Sequence, residues 1–403
     1  MSERVRHVYL DNNSTTPCDE AVLAAMLPYF RQQYANPSSP HAMGKQARAA
    51  VSNSRESLAG LLHCQESEII FTSGATESNN LALLGVTPPN PTRRSVSTSP
   101  IEHKSVLMSC RAKEKQGFKI RQFSVSRTGV VDLNSVEEQI GNDTAIVSLQ
   151  AANNETGVMQ PVQEVADIAH SRGALFHCDA TQWIAKLPIP AWFQSCDYLS
   201  LSAHKCYGPK GVGVLVARQG MPRRSLAPLI HGGQQELGLR SGTANVPGIV
   251  GFGVACNLAM ERAAKDEVSM GKMRERFENA IAKSLPNAWI NGNSENRLPG
   301  TTSLTIPDVP ASMLVLRLAD ICIGEGSACT TGAPEPSHVL IAMGLSREHA
   351  DSTVRISFGR QNTIEDADIA ALSIAKAVTS ILEDLCVASS QTVLTSSGGN
   401  DGS

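Results

Sequence analysis

Short apolar runs alternate with stretches of helical period through the first two thirds of the chain. EIIFT leads through a small-residue turn into NNLALLG, and RSVSTSP is followed by SVLMSCRAKEKQG. AIVSLQ precedes VQEVADIAHSRG, and ALFHCD leads through a connector to YLSLS and GVGVLVAR. Continuous apolar runs of this length, separated by helices, predict an α/β fold: a mainly parallel sheet with helices on both faces. Ahead of it, VYLDNNSTTP reads as a short strand running into a polar turn. A helix from about Asp19 to Tyr34 and, past the break at Asn36–Pro40, a second one to about Leu62 complete this part.

The register changes near residue 257. A charged helix (RAAKDEVSMGKMRERFENAIAKSL) precedes strand-like pieces at TTSLTI and TVRISFG, with a glycine-rich loop from Gly324 to Pro336 between them. This pattern predicts a smaller α+β domain. The expected organisation is a large domain over 15–256 and a small one from 1–14 plus 257–387. The Ser/Thr/Gly-rich residues 388–403 should form a disordered tail.

Composition narrows the class. A chain of 403 residues is too long for one small core. The 41% hydrophobic and 18% charged content is ordinary for a soluble enzyme. A net charge of -3 provides no electrostatic footprint for nucleic acid or an anionic membrane. No apolar run approaches a membrane span, and Met1–Tyr9 has no apolar stretch of signal type, so a cytoplasmic protein is expected. Ten scattered cysteines include no C-x-x-C pair, which argues against a zinc ribbon or redox dithiol and for reduced thiols.

Two strand ends carry the candidate chemistry. ALFHCDATQ ends its strand on Asp179, where a carboxylate needs a cationic partner or a turn to cap. A protonated pyridine nitrogen is one such partner. Lys205 follows 26 residues later in YLSLSAHKCYGPKG, again at a strand end and with no acidic neighbour nearby in sequence. It is either an exposed loop lysine or an amine able to form an imine with an aldehyde. Ser202 and His204 beside it can donate to a phosphate. FTSGATES supplies a helix N-terminus of small residues at Ala75 and Thr76, a common but apt anion cradle. His103, in SPIEHKSV, follows another predicted strand and could cap a helix or stack on a flat ring.

LDNNSTTP, FTSGATESNNLAL, EHKSVL, NNETGV, FHCDATQ, SAHKCYGPKGVG, HGGQQELGLRSGT and GSACTTGAPEPSHVL resemble, in order, the motif series of cysteine desulfurases. These are fold-type-I pyridoxal 5'-phosphate enzymes of the class-V aminotransferase family with the aspartate aminotransferase architecture. The resemblance covers residues 7 to 385 and is nearest the housekeeping or nitrogen-fixation branch. It implies conversion of L-cysteine to L-alanine, with Lys205 as the Schiff-base lysine and Asp179 on the pyridinium nitrogen. It further implies Gln182 on the ring oxygen, His103 stacked on the ring, and Ala75, Thr76, Ser202 and His204 on the phosphate. Thr243 would reach the phosphate in the neighbouring subunit of a homodimer. Asn154, also at the cofactor, and Arg355 would hold the substrate carboxylate.

Cys329, in the glycine-flanked GEGSACTTG, would take the sulfur as a persulfide and pass it to an acceptor or iron–sulfur scaffold protein. No resident metal is implied, although Cys329 could transiently ligate a transferred iron–sulfur cluster. Glu325 stands where the family commonly has a small hydroxyl residue, and Ala203 replaces the usual glycine before His204. The family's scaffold-binding C-terminal segment is not recognisable. A selenocysteine lyase, an aminotransferase of the same fold and a non-catalytic scaffold are the rival readings.

Overall fold

The computed structural model describes residues 7–88, 90–325 and 335–396. The chain divides into two compact units. One contains residues 13–268 with 292–299, and the other residues 1–12, 269–291 and 300–403. The bounds expected at 14/15 and 256/257 therefore fall at 12/13 and 268/269. Residues 292–299 also return to the large unit, where Leu298 N–H donates to the Gly157 carbonyl.

The large unit is built on a seven-stranded sheet. Its spatial order is Ile69–Thr72, Gly213–Ala217, Tyr198–Ser202, Leu175–Asp179, Thr144–Gln150, Ser95–Thr98 and Lys119–Gln122. Gly213–Ala217 runs antiparallel to both its neighbours, and all other pairings are parallel. Every residue of Thr144–Gln150, Leu175–Asp179 and Tyr198–Ser202 is buried, as expected of central strands covered on both faces. The edge strand Lys119–Gln122 is instead charged and partly exposed, which blunts edge-to-edge pairing. Helices Ala75–Leu84, Lys104–Lys115 and Val162–Ser171 start beyond strand ends. Consequently residues 72, 98, 150, 179 and 202 all end strands at the same edge of the sheet.

The small unit has its own core around Met270, Phe277, Leu304, Ile356 and Phe358. Its four-stranded antiparallel sheet runs Gly324–Glu325, Thr353–Ser357, Thr301–Thr305 and Trp289–Ile290. Val8–Tyr9 pairs in parallel with Ile321–Cys322.

Three expectations need correction. The helix expected over 19–34 is two pieces, Glu20–Met26 and Pro28–Arg31, because Pro28 has no N–H to continue the first. The charged helix expected from residue 262 begins at Val246 and runs 39 residues to Ser284. Its first turns, VPGIVGFGVACNLAM, are too apolar and glycine-rich to show a helical stripe, because Phe252, Cys256 and Ala259 belong to the large core. The supposed tail is helical as far as Ser396, at the end of helix Ile364–Ser396. Its Ser and Thr residues lie among Ala, Val and Leu, so composition understated its helicity.

Candidate active site

The sheet edge gathers the predicted groups of the large unit. Asp179 is buried at its strand end, where its carboxylate accepts from Asn79 Nδ2 at 2.7 Å and the Thr181 N–H at 3.0 Å. Asn79 Nδ2 also donates to Ser105 Oγ at 2.9 Å, and Ser105 Oγ lies 2.7 Å from His103 Nδ1. His103 caps helix Lys104–Lys115 by accepting the Ser105 N–H. It is thus a helix cap tied to Asp179 through two side chains. The residue is open to solvent, yet its ring atoms are crowded enough that desolvation lowers its pKa. Asp179 opposes that shift and Lys205 adds to it.

Two further titratable groups sit behind Asp179. His177, two residues earlier on the strand, lies between Ser148 Oγ at 2.8 Å and Ser200 Oγ at 2.9 Å. Burial pushes its pKa down to about 4, so it is a neutral imidazole joining three strands. Glu102 is fully buried and accepts the Gln150 N–H at 2.9 Å. Burial raises its carboxyl well above the usual range, and the charge of Asp179 adds to that.

Lys205 lies at the end of the short turn Ala203–Lys205 that follows its strand. Its Nζ donates to the carbonyls of Asn13 and Ser14, both at 2.6 Å. Gln182 Nε2 donates to the same Asn13 carbonyl at 2.9 Å, and Asn13 Nδ2 donates to the Asn154 carbonyl at 3.2 Å. Asn13 is therefore the hub that collects Lys205, Gln182 and Asn154. His204 pairs through Nδ1 with Thr15 Oγ1 at 3.1 Å. Its pKa falls to about 4 through burial, with Lys205, Lys210 and Lys186 pushing the same way.

The turn before helix Ala75–Leu84 has Gly74 as N-cap, which places no side chain over the first N–H groups. Gly213 on the neighbouring strand approaches so closely that a Cβ there would lie 2.6 Å from Gly74 Cα. Ser202 Oγ is also close, 3.7 Å from the position a Cβ on Gly74 would take. Glu77 holds the turn by accepting the Ser73 N–H at 2.8 Å and Arg240 Nε at 2.9 Å. Burial alone would raise the Glu77 pKa, but the hydrogen bonds from Arg240 and Ser73 outweigh it and bring the pKa below the usual value. Exposed Thr243 borders a cavity of about 90 Å³ with Ser73, Gly211, Gln235 and Arg240.

Arg355 belongs to the small unit and is not among these groups. It lies on Thr353–Ser357 and pairs with Asp11 Oδ1 at 2.6 Å. A Cβ on Gly324 would come within 2.8 Å of both partners, so the glycine keeps room for the pair. Cys329 lies outside the described residues. The sequence pattern had not singled out Asn13, Asn79, Ser105, Glu102 or Lys186. The only signal for Asn13 was the polar run NNST directly after an apolar strand.

A sheet edge carrying a buried carboxylate, a lysine and an uncapped helix start defines a class of enzyme. The chain belongs to the aminotransferase class-V family, whose family model matches residues 8–370. It is similar to the cysteine desulfurase of Gluconacetobacter diazotrophicus, 42% identical over 365 residues that cover 90% of each protein. It is also 42% identical over 380 residues to "Cysteine desulfurase, mitochondrial" of Drosophila melanogaster, covering 94% of this chain and 82% of that protein. A solved NifS-like protein superposes with a TM-score of 0.86 and 39% identity, covering 93% of this chain and 99% of that one. The fold is accordingly that of the fold-type-I pyridoxal-phosphate enzymes, and the activity is that of a pyridoxal-phosphate-dependent cysteine desulfurase.

The residues present suit that cofactor. Asp179 is a buried acceptor for a protonated ring nitrogen, and Gly74 leaves backbone donors at a helix start open to a phosphate. Lys205 and Gln182 converge on one carbonyl near them. Among the described residues no helix is long and apolar enough to cross a membrane.

Proposed function

We propose that this chain takes the sulfur of L-cysteine onto Cys329 and releases L-alanine, with Lys205 as the covalent anchor of the cofactor. The observation carrying this reading is the convergence of Lys205 Nζ and Gln182 Nε2 on the Asn13 carbonyl, beside the strand that ends at Asp179. Asp179 would hold the ring nitrogen and keep its proton, Gln182 would donate to the ring oxygen, and His103 would cover the ring face. The N–H groups of Ala75 and Thr76 with Ser202 and His204 would hold the phosphate. Bound pyridoxal phosphate supplies an electron sink that acidifies the α-hydrogen of an attached amino acid.

The remaining work falls to side chains. Lys205 Nζ removes the α-proton of the bound cysteine. Arg355, aided by Asn154, binds the substrate carboxylate, which a guanidinium fork matches with two hydrogen bonds. The Cys329 thiolate attacks the substrate sulfur, so an S–S bond forms as the Cβ–S bond breaks. The electron pair of the broken bond returns to Cβ, which is protonated and leaves within alanine. The enzyme keeps a Cys329 persulfide. A stretch of glycine and small residues around Cys329 suits a thiol that must both attack and deliver.

The same reading includes a cytoplasmic homodimer, in which Thr243 reaches the phosphate in the partner subunit. The sulfur passes to an acceptor or iron–sulfur scaffold protein, and Cys329 could hold a transferred cluster in transit. Supporting the dimer, Thr243 is exposed and lies in the RSGT motif. Sedimentation should give a dimer, and a fully active monomer would contradict this part. The test of the reaction is stoichiometry: one alanine per sulfur, with the persulfide mapped by mass to the Cys329 peptide. A persulfide on Cys206 instead, with Cys329→Ser fully active, would overturn the assignment.

A further inference from the structure

Lys186 is a buried lysine beside the site that no step above uses. Its Nζ donates to the Asn13 side-chain oxygen at 2.8 Å and to the Gln182 side-chain oxygen. An ammonium carries only donors, so it dictates which end of each amide faces it. The Gln182 oxygen must turn toward Lys186. Its NH2 then points at the Asn13 carbonyl, the oxygen that Lys205 Nζ also meets. Flipping the Gln182 amide would set NH2 against ammonium and oxygen against carbonyl. Both contacts are repulsive, and both lie in a buried place where unmade hydrogen bonds cost most.

The charge of Lys186 also reaches the site. It acts on His204 in the same direction as Lys205 and Lys210. At neighbouring His103, Asp179 supplies the opposing negative charge, while Lys205 and Lys104 add positive charge.

We propose that Lys186 is a positioning residue for the cofactor: it fixes Gln182 with its NH2 toward the place where Lys205 acts. It also adds positive charge beside the ring oxygen that Gln182 would meet. This inference rests on the roles given above to Lys205 and Gln182.

The test uses the cofactor-loaded protein and two readouts, the pH midpoint of the visible cofactor band and the Kd for pyridoxal phosphate added back to stripped protein. Lys186→Met should move the midpoint up by half a pH unit or more, because a lost positive charge favours the protonated imine nitrogen at Lys205. It should also weaken the Kd about tenfold. Lys186→Arg keeps a donor-only cation and should restore most of both effects. In a Gln182→Ala background, Lys186→Met should change the Kd far less than it does alone, since the lysine acts through Gln182. If Lys186→Met does not fold, Lys186→Gln, which keeps a polar N–H donor without the charge, should show the same upward midpoint shift. An unmoved midpoint and Kd in a folded Lys186→Met protein, or full additivity with Gln182→Ala, overturns the inference. A wild-type protein with no borohydride-sensitive band would instead overturn the underlying reading.

Discussion

The two units prepare for chemistry in different ways. In the large unit the site is held by hydrogen bonds between side chains, buried from Asp179 to Asn79 and from Asn79 to Ser105 and part-buried from Ser105 to His103. Around Asn13 a second network collects Lys205, Gln182 and Lys186. In the small unit Arg355 is locked to Asp11, and Cys329 follows the strand Gly324–Glu325 four residues on in the sequence. The difference teaches a division of labour. A bound ring demands groups preorganised to fractions of an ångström, which buried networks supply. A sulfur carrier must meet both substrate and acceptor.

That division can be broken most directly at Cys329. Cys329→Ser should bring alanine and sulfide production down to background while leaving the cofactor band and its response to L-cysteine intact. A serine hydroxyl is not ionised at neutral pH and is a far poorer nucleophile toward sulfur. Loss of the spectral response together with turnover would mean that the two functions are not separate.

Arg355 sharpens the same contrast for the substrate. Arg355→Lys should raise KM for L-cysteine by about tenfold or more, because a lysine cannot reproduce the two-pronged match to a carboxylate. The cofactor's affinity and band should stay unchanged. A variant that bound cysteine normally but lost the cofactor would reverse the assignment of Arg355 to the substrate.

A smaller effect belongs to the buried histidine of the large sheet. His177 has a folded pKa of about 4, below its ordinary value, so between the two values the unfolded chain binds more protons than the fold. Stability from this source is complete above about pH 6.5 and declines as pH falls toward 4. At about 1.4 kcal/mol per pKa unit it amounts to roughly 3 kcal/mol. Denaturant titrations at pH 7 and pH 4.5 should show His177→Gln losing less stability on acidification than the wild type. Equal losses would mean that the histidine does not carry the term.

The smallest effect concerns strain in the 230–243 loop, where Gln234 and Leu237 hold φ of 58° and 59°. That region suits glycine, and a longer side chain costs of the order of 1 kcal/mol there. Gln234→Gly should therefore stabilise the large unit by up to about 1 kcal/mol in chemical denaturation, and a destabilised variant would show that the Gln234 side chain outweighs its strain.

Much of this arrangement is legible in the sequence. Asp179 ends one mostly apolar strand and Lys205 lies three residues past the end of another, so a polar group at either place announces itself. The small-residue turn at Gly74 reads as an anion cradle for the same reason. The hubs were not legible, because their bonds join distant parts of the chain: Asn13 meets Lys205 across 192 positions, and Asn79 meets Asp179 across 100. No local pattern encodes such pairings. Lys186 is likewise invisible in sequence, since a lysine after TQWIA reads as a solvated surface charge. The start of helix Val246–Ser284 was hidden by burial, which removes the polar face that betrays a helix. The break at Pro28 is readable from the proline itself, although the apolar spacing on either side suggests one continuous helix.

The central claim is that Lys205 and Asp179 make a pyridoxal-phosphate site at one sheet edge. Its most direct test is the visible spectrum of the purified protein, followed by borohydride reduction and peptide mapping. The account predicts a yellow protein whose band shifts on adding L-cysteine. Before substrate is added, borohydride should abolish the band and leave the cofactor's mass on the peptide containing Lys205. Lys205→Ala should show neither that adduct nor turnover. A colourless protein, an adduct on another lysine, or a Lys205→Ala variant with normal turnover would contradict it.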